Sequence, residues 1–217
     1  GTSYHSIDEL MTATAQEISD NLEITSKLLS EHPELESMLD SYQYRQTEPA
    51  AIMEELKEQT LKDFPQLPEC SYTLKDVPKA LELSLSPAFY LTSPIDDSSQ
   101  NVIYINRNPI YDNQPLYNTI AHEGYPGHLY QTVFFGKTQP DDIRYLITSG
   151  GYVEGWATYV ESYGYQYAAS LLSDKAAADI TTLMWKNRSI NLCIYSLLDT
   201  GIHYQGWNQA AAAKFLN

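Results

Sequence analysis

Apolar residues recur at helical spacing in the first 62 residues and again after residue 115. A stripe from Ile7 to Leu29 forms one face of a helix, and Ser6 with Glu9 fits a capping box at its start. Thr47 together with Pro49 is typical of a helix start, because the first helical turn needs no N–H from a proline there. We predict helices over 6–31, 33–43, 48–62, 115–135, 139–148, 152–170, 173–199 and 206–216.

The stretch between Pro68 and Pro109 has a different pattern. Its segments are short, rich in Tyr, Leu, Thr and β-branched residues, and separated by turn-forming residues. We predict strands over 70–76, 87–92 and 102–105, with a helical turn over 78–84. A small sheet between helical segments predicts an α+β fold that is mainly α-helical.

Composition narrows the classes of partner. The chain has 217 residues, 43% of them hydrophobic, and a formal net charge of −15, so it can build a sizeable core and has an acidic surface. An acidic chain without clustered Lys and Arg is not expected to bind nucleic acid, and no apolar stretch is long enough to insert into a membrane. Cys70 and Cys193 are the only cysteines, and the sequence leaves open whether they pair.

One short segment carries most of the candidate chemistry. His122, Glu123 and His128 lie within seven residues, together with two glycines and a proline inside a predicted helix. Imidazole nitrogens suit zinc, and a Glu beside a ligand His can act as general base toward a metal-activated water. Gly and Pro destabilise a helix interior, so their presence beside His and Glu is typical of a functional site.

The spacing of the two histidines does not fit a regular helix. Zinc helices with the pattern His-Glu-x-x-His place both His on one face, four residues apart. His122 and His128 are six apart, which is about 120° off a common face at roughly 100° per residue. We therefore predict that the helix is bulged or kinked around Pro126 and Gly127.

Two motifs together resemble a known family. The run from His122 to His128 reads His-Glu-x-x-Pro-Gly-His, and a second run reads Glu154-Gly155-Trp156-Ala157-x-Tyr159-x-Glu161. With an Asp-x-Gly-x-His element ending at His203, these motifs resemble the bacterial family known as domain of unknown function 885, over about residues 70–215. The resemblance implies a zincin-like fold and a zinc metallopeptidase related to the gluzincins.

The resemblance also implies roles for individual residues. It gives one zinc ion with Glu154 as third ligand, although a Glu near a helix start can equally be a solvated side chain. Glu161 would orient a ligand histidine, the alternative being a surface Glu. We expect metal ligands at His122, His128 and Glu154, catalytic groups at Glu123, His203 and Tyr204, supporting contacts from Glu161 and Gln131, and substrate contacts from Tyr104, Asn106 and Tyr125.

The strand over 101–106 precedes the metal-binding segment, and in zincins an edge strand at this point pairs with extended substrate. We therefore consider that this strand lies at a sheet edge and binds a peptide by strand addition, the alternative being an ordinary strand inside the sheet. A peptide is the partner that this hypothesis favours.

The domain prediction divides the chain into a helical scaffold at 1–66 and a zincin-like catalytic domain at 67–217, which we expect to be truncated at its C-terminus. The function expected is a zinc-dependent hydrolase that cleaves peptide bonds. The alternative is a metal- or peptide-binding domain without turnover, and a purely structural helical domain is a third interpretation. The sequence leaves localisation, oligomeric state and cleavage mode open.

Overall fold

A computed structural model describes residues 3–39, 41–97, 99–111, 115–147, 149–171 and 175–216. The helices are α1 (Ile7–Glu31), α2 (Glu34–Leu39), α3 (Pro49–Asp63), α4 (Leu116–Glu123), α5 (His128–Lys137), α6 (Ile143–Leu146), α7 (Gly150–Ser170), α8 (Lys175–His203) and α9 (Gln209–Leu216). The strands are β1 (Tyr72–Asp76), β2 (Ala88–Leu91) and β3 (Asn101–Ile105), and two short 3-10 helices cover Lys79–Ser84 and Pro109–Tyr111. The predicted α+β fold, mainly helical with a small sheet, is confirmed.

The chain divides into two compact units. The first consists of Gly1–Tyr42 with Leu172–Asn217, and the second is Gln43–Leu171. The predicted boundary at 66/67 differs from this division, because α3 packs against α4 and α7 of the second unit. No helix in the described part of the chain combines the length and the apolar character needed to cross a bilayer.

In the first unit, α1 and α2 pack against α8. Ser6 caps α1 by accepting a hydrogen bond from the N–H of Glu9 at 3.1 Å, as the capping box predicts. A small core forms around Leu35, Ile180 and Leu183. Asn21, which is buried, adds a polar contact between α1 and α8.

The second unit has a larger core between α3, the sheet and the pair α4 and α7. Buried side chains from α3, β3, α4 and α7 line it: Ile52, Met53, Leu56, Ile103, Ile105, Ile120, Tyr167 and Ala168. Burying a Leu, Ile or Met side chain contributes about 1.5–3 kcal/mol relative to leaving it exposed. This packing holds α4 and α7 against one another, and both helices carry candidate metal ligands.

The sheet has the strand order β1–β3–β2. β3 runs parallel to β1, with Leu74 opposite Ile103, and antiparallel to β2, with Tyr90 opposite Ile103. Because β3 has a neighbour on both sides, the hypothesis that this strand is an edge available to substrate is wrong. The edge strands among the described residues are β1 and β2.

Candidate metal centre

The two histidines lie at the facing ends of separate helices. α4 ends at Glu123, α5 begins at His128, and the residues Gly124–Gly127 form a turn between them. The Tyr125–Pro126 peptide bond in this turn is cis. The distortion predicted around Pro126 and Gly127 is thus a full interruption, in which four residues leave the helical path.

Gly127 allows this turn to close tightly. A Cβ atom built at Gly127 would overlap the carbonyl group of His122, so no other residue fits without a shift of the backbone. The N–H of Gly124 donates to the carbonyl oxygen of Ile120 at 2.7 Å, which completes the last turn of α4. The rings of His122 and His128 meet edge to face across this turn, with centroids 4.7 Å apart and planes at 88°.

Glu154 of α7 reaches the same point as the two imidazoles. Its Oε2 atom lies 3.5 Å from His122 Nε2 and 3.7 Å from His128 Nε2. Atoms that ligate one tetrahedral zinc at about 2.0–2.1 Å lie about 3.4 Å apart. The Glu154 oxygen therefore lies from each imidazole nitrogen at a distance that suits a shared zinc ion.

Glu161, two helical turns after Glu154 on α7, contacts the other ring nitrogen of His122. The distance from Glu161 Oε1 to His122 Nδ1 is 2.7 Å, and the Glu161 side chain is only 6% exposed. Burial lowers the pKa of His122, but the hydrogen bond to Glu161 and the nearby carboxylates outweigh this and raise it overall. A carboxylate on Nδ1 fixes the ring orientation and directs Nε2 toward a metal.

His128 has a different environment. Its Nδ1 atom is buried and has no hydrogen-bond partner among the described residues. Burial and the neighbouring His122 lower the pKa of His128. The two imidazoles thus differ at Nδ1, which meets a carboxylate in His122 and has no partner among the described residues in His128.

Glu123 is the third carboxylate beside the imidazoles. One ligand atom from each of His122, Glu123 and His128 lies within 4.8 Å of the others. Glu123 Oε2 also accepts a hydrogen bond at 2.8 Å from the backbone N–H of Tyr90 in β2. Burial raises the pKa of Glu123 to about 7, against the opposing effects of His122 and the Tyr90 N–H.

Several other predicted residues make structural contacts. Gln131 donates from Nε2 to the carbonyl oxygen of Tyr152 at 3.2 Å, which connects α5 to the start of α7. Asn106 is buried and donates to the carbonyl oxygens of Glu82 and Leu85 at 2.8 and 2.9 Å. The Asn106 contacts connect the end of β3 to the segment before β2, and the predicted roles of Gln131 and Asn106 stay predictions.

The two tyrosines expected to bind substrate are also packed. Tyr104 stacks on Phe89 across β2 and β3, with ring centroids 5.1 Å apart. Tyr125 is buried, and its hydroxyl lies 3.4 Å from Cys70 Sγ. Their roles in substrate binding likewise stay predictions. Both Cys70 and Cys193 are free thiols.

His203 and Tyr204 belong to the first unit, whereas the centre belongs to the second. His203 is the last residue of α8, and its Nε2 atom lies 3.6 Å from an Asp199 carboxylate oxygen, with both side chains exposed. Tyr204 is also exposed. Their predicted catalytic roles stay predictions.

Two contacts at the centre were not predicted from the sequence. One is the Tyr90 backbone N–H on Glu123, which no side-chain pattern can indicate. The other comes from Trp156, whose indole Nε1 donates to the carbonyl oxygen of Pro126 at 2.9 Å. Trp156 lies two residues after Glu154, and this proximity in the sequence is a signal that could have indicated a contact near the centre.

Comparisons with known proteins address the family and the fold. The chain matches, over residues 2–217, the family described as bacterial protein of unknown function (DUF885). The comparison with curated proteins finds no match. The crystal structure of a candidate lipoprotein from Colwellia psychrerythraea has a TM-score of 0.76 and 17% identity, covering 97% of this chain and 39% of that chain.

The likeness to the Colwellia protein shows a shared fold, and this chain spans well under half of that protein's length. The family match covers nearly every residue, including both motifs described above. The chain therefore belongs to the DUF885 family of bacterial proteins.

Proposed function

We propose that this chain carries a single-zinc hydrolase centre that cleaves peptide bonds. The observation that carries the proposal is the convergence of His122 Nε2 and His128 Nε2 on one oxygen of Glu154, at 3.5 and 3.7 Å. Three protein ligands with room for a fourth are the usual set of a catalytic zinc site. The mainly helical fold with this centre is consistent with a gluzincin-like metallopeptidase.

Two carboxylates compete for the third ligand position, and the geometry favours Glu154. Its Oε2 atom faces both Nε2 atoms, whereas Glu123 Oε2 is held by the N–H of Tyr90. Glu154 would therefore ligate the metal together with the histidines, and Glu123 would stay beside them as an acid–base group. Glu161 keeps the His122 ring oriented through Nδ1.

Zinc, when bound, supplies Lewis-acid activation of a water molecule and of the substrate carbonyl. Glu123 then acts as general base. Because Tyr90 holds its Oε2 atom, Oε1 is the oxygen that takes the proton from the water and returns it to the leaving amine. The Tyr90 hydrogen bond fixes the direction in which the carboxylate points.

A peptide is favoured as substrate by the position of β2. The carbonyl oxygen of Pro87 faces β3, where it accepts from the N–H of Asn106 at 2.8 Å. In an antiparallel strand the N–H and C=O groups of successive residues point alternately toward the two sides. Those of Ala88 and Tyr90 therefore face away from β3. The Tyr90 N–H is bonded to Glu123, so an extended peptide would pair with the outward-facing carbonyl oxygen of Tyr90 and the backbone groups of Ala88, beside Glu123.

Metal analysis and peptide hydrolysis test this proposal together. Protein purified without added zinc is expected to hold about one equivalent of metal, and His128→Ala is expected to lose it. Glu123→Gln is expected to keep zinc and lose hydrolysis of a mixed peptide library by about 100-fold or more. Glu58→Gln, at an exposed position on α3, is the control for loss of one negative charge.

The outcomes separate the alternatives. Less than about a tenth of an equivalent of metal, unchanged by soaking with zinc, would rule out the zinc centre. Zinc bound by wild type, Glu123→Gln and Glu58→Gln alike, with no hydrolysis by any of them, would indicate a binding domain without turnover.

A further inference from the structure

We propose that Trp156 is a positioning residue for the metal centre, acting through the carbonyl oxygen of Pro126. This inference rests on the proposed zinc function. The indole N–H fixes the turn over 124–127 against α7. This turn sets the separation of the two histidines. Trp156 does not touch the metal or the substrate in this proposal.

The three candidate ligands come from three separate elements. His122 ends α4, His128 begins α5, and Glu154 is on α7. Metal binding requires these elements to hold their side chains to within a fraction of an ångström. Contacts that join α4, α5 and α7 are therefore needed to hold the three ligands in place.

Two of these contacts run directly between helices. Glu161 joins α7 to His122 of α4 at 2.7 Å, and Gln131 joins α5 to the Tyr152 carbonyl of α7 at 3.2 Å. The turn itself is joined to α7 by Trp156 Nε1, at 2.9 Å from the Pro126 oxygen. Because Trp156 follows Glu154 by two residues, this hydrogen bond positions the ligand-bearing part of α7 relative to the turn.

The Trp156 ring is itself held in place. It stacks on Tyr130 with centroids 6.2 Å apart and meets Phe64 edge-on at 5.8 Å. Aromatic contacts of this kind restrict the ring to one orientation, so its N–H is directed at Pro126 before any metal binds. The turn is also tightly packed, since a Cβ at Gly127 would overlap the His122 carbonyl. Movement of Pro126 therefore transmits directly to His122 and His128.

A matched pair of variants tests the role of the indole N–H. Trp156→Phe removes the donor and keeps an aromatic ring. Tyr130→Phe removes a different hydrogen bond from the same aromatic cluster, in which the Tyr130 hydroxyl donates to the Pro65 carbonyl at 2.7 Å. Zinc affinity is measured by competition with a chromophoric chelator, and unfolding of the metal-free proteins is measured in urea.

We expect Trp156→Phe to weaken zinc binding by about tenfold, because loss of a supporting hydrogen bond around a metal site has an effect of this size. Tyr130→Phe should leave zinc affinity within about twofold of wild type. The visible spectrum of the cobalt-substituted protein, which reports ligand geometry, should change in Trp156→Phe alone. Equal zinc affinity in wild type and Trp156→Phe would overturn the inference while leaving the zinc centre intact. A wild type that binds no zinc would overturn both.

A second variant covers the case in which Trp156→Phe does not fold. Site-specific incorporation of β-(3-benzothienyl)alanine at position 156 keeps the bicyclic ring and replaces the N–H by sulfur. The same loss of about tenfold in zinc affinity is expected, because only the donor to Pro126 is missing. Wild-type affinity in this variant would show that the ring, and not the hydrogen bond, is what the centre needs.

Discussion

Glu161 Oε1 lies 2.7 Å from His122 Nδ1, and both side chains are largely buried. A carboxylate in this position stabilises the tautomer that leaves Nε2 free to ligate. We expect Glu161→Gln to weaken zinc binding by 10–100-fold, because the amide does not reproduce the charge that holds the ring. Chelator competition measures the change.

The control for Glu161→Gln is Glu58→Gln, which changes the net charge equally at an exposed position. Similar zinc affinities for the two variants would show that Glu161 does not support the ligand. The urea unfolding midpoint of each metal-free variant shows whether the fold is retained.

Gly127→Ala is expected to destabilise the chain. The added methyl group would overlap the His122 carbonyl, and overpacking of this kind costs about 1–3 kcal/mol. Gly155→Ala is the matched control, since a Cβ there meets no atom within 4 Å and the residue lies inside α7. Replacing a mid-helix glycine should raise the free energy of unfolding by about 0.5–1 kcal/mol.

Urea unfolding of the two glycine variants, each compared with wild type, measures these opposite shifts. A Gly127→Ala protein as stable as wild type would contradict the tight turn described here. Destabilisation of Gly155→Ala would contradict the placement of Gly155 inside α7 with open space around it.

Asn21→Ala is expected to lower the free energy of unfolding by about 1–3 kcal/mol. Asn21 is buried between α1 and α8, where it donates to Ser189 Oγ at 3.0 Å and accepts from Lys186 Nζ at 2.8 Å. Its removal leaves both partners with an unmet hydrogen bond. Asn191→Ala, at an exposed position where the amide donates to the Asn187 carbonyl of its own helix, should change stability by less than about 0.5 kcal/mol.

Zinc should raise the melting temperature of the metal-free protein. A ligand at one hundred times its dissociation constant stabilises the folded state by about 2.7 kcal/mol, or about 5–10 °C for a chain of this length. Calorimetry with and without zinc measures the shift after treatment with a chelator. His128→Ala should show no shift, and a shift of equal size in that variant would exclude His128 as a ligand.

Local signals in the sequence were sufficient for most elements. The Ser6 cap, Pro49 at the start of α3 and the β-branched run of β3 each predict the observed structure, because each depends on neighbouring residues only. The place of β3 in the sheet could not be read in the same way. Strand order depends on pairing between distant segments. Here β1 pairs with β3, although β2 lies between them in the sequence.

The candidate centre was predictable in its residue types but not in its geometry. Helical periodicity indicated a distortion near Pro126 and could not say that the helix ends at Glu123 and restarts at His128. The approach of Glu154 and Glu161 depends on the packing of α7 on α4. The N–H of Tyr90 on Glu123 is a backbone contact, for which side-chain identity carries no information.

The interruption between α4 and α5 separates the spacing of the two histidines in the sequence from their spacing in space. In an uninterrupted helix the ligand distance is fixed by the helical repeat, so any insertion rotates one ligand away from the other. Here a four-residue turn separates the two histidines, so each keeps its own helical phase. A residue added to or removed from this turn would therefore change the separation of the two imidazoles without rotating either one within its own helix.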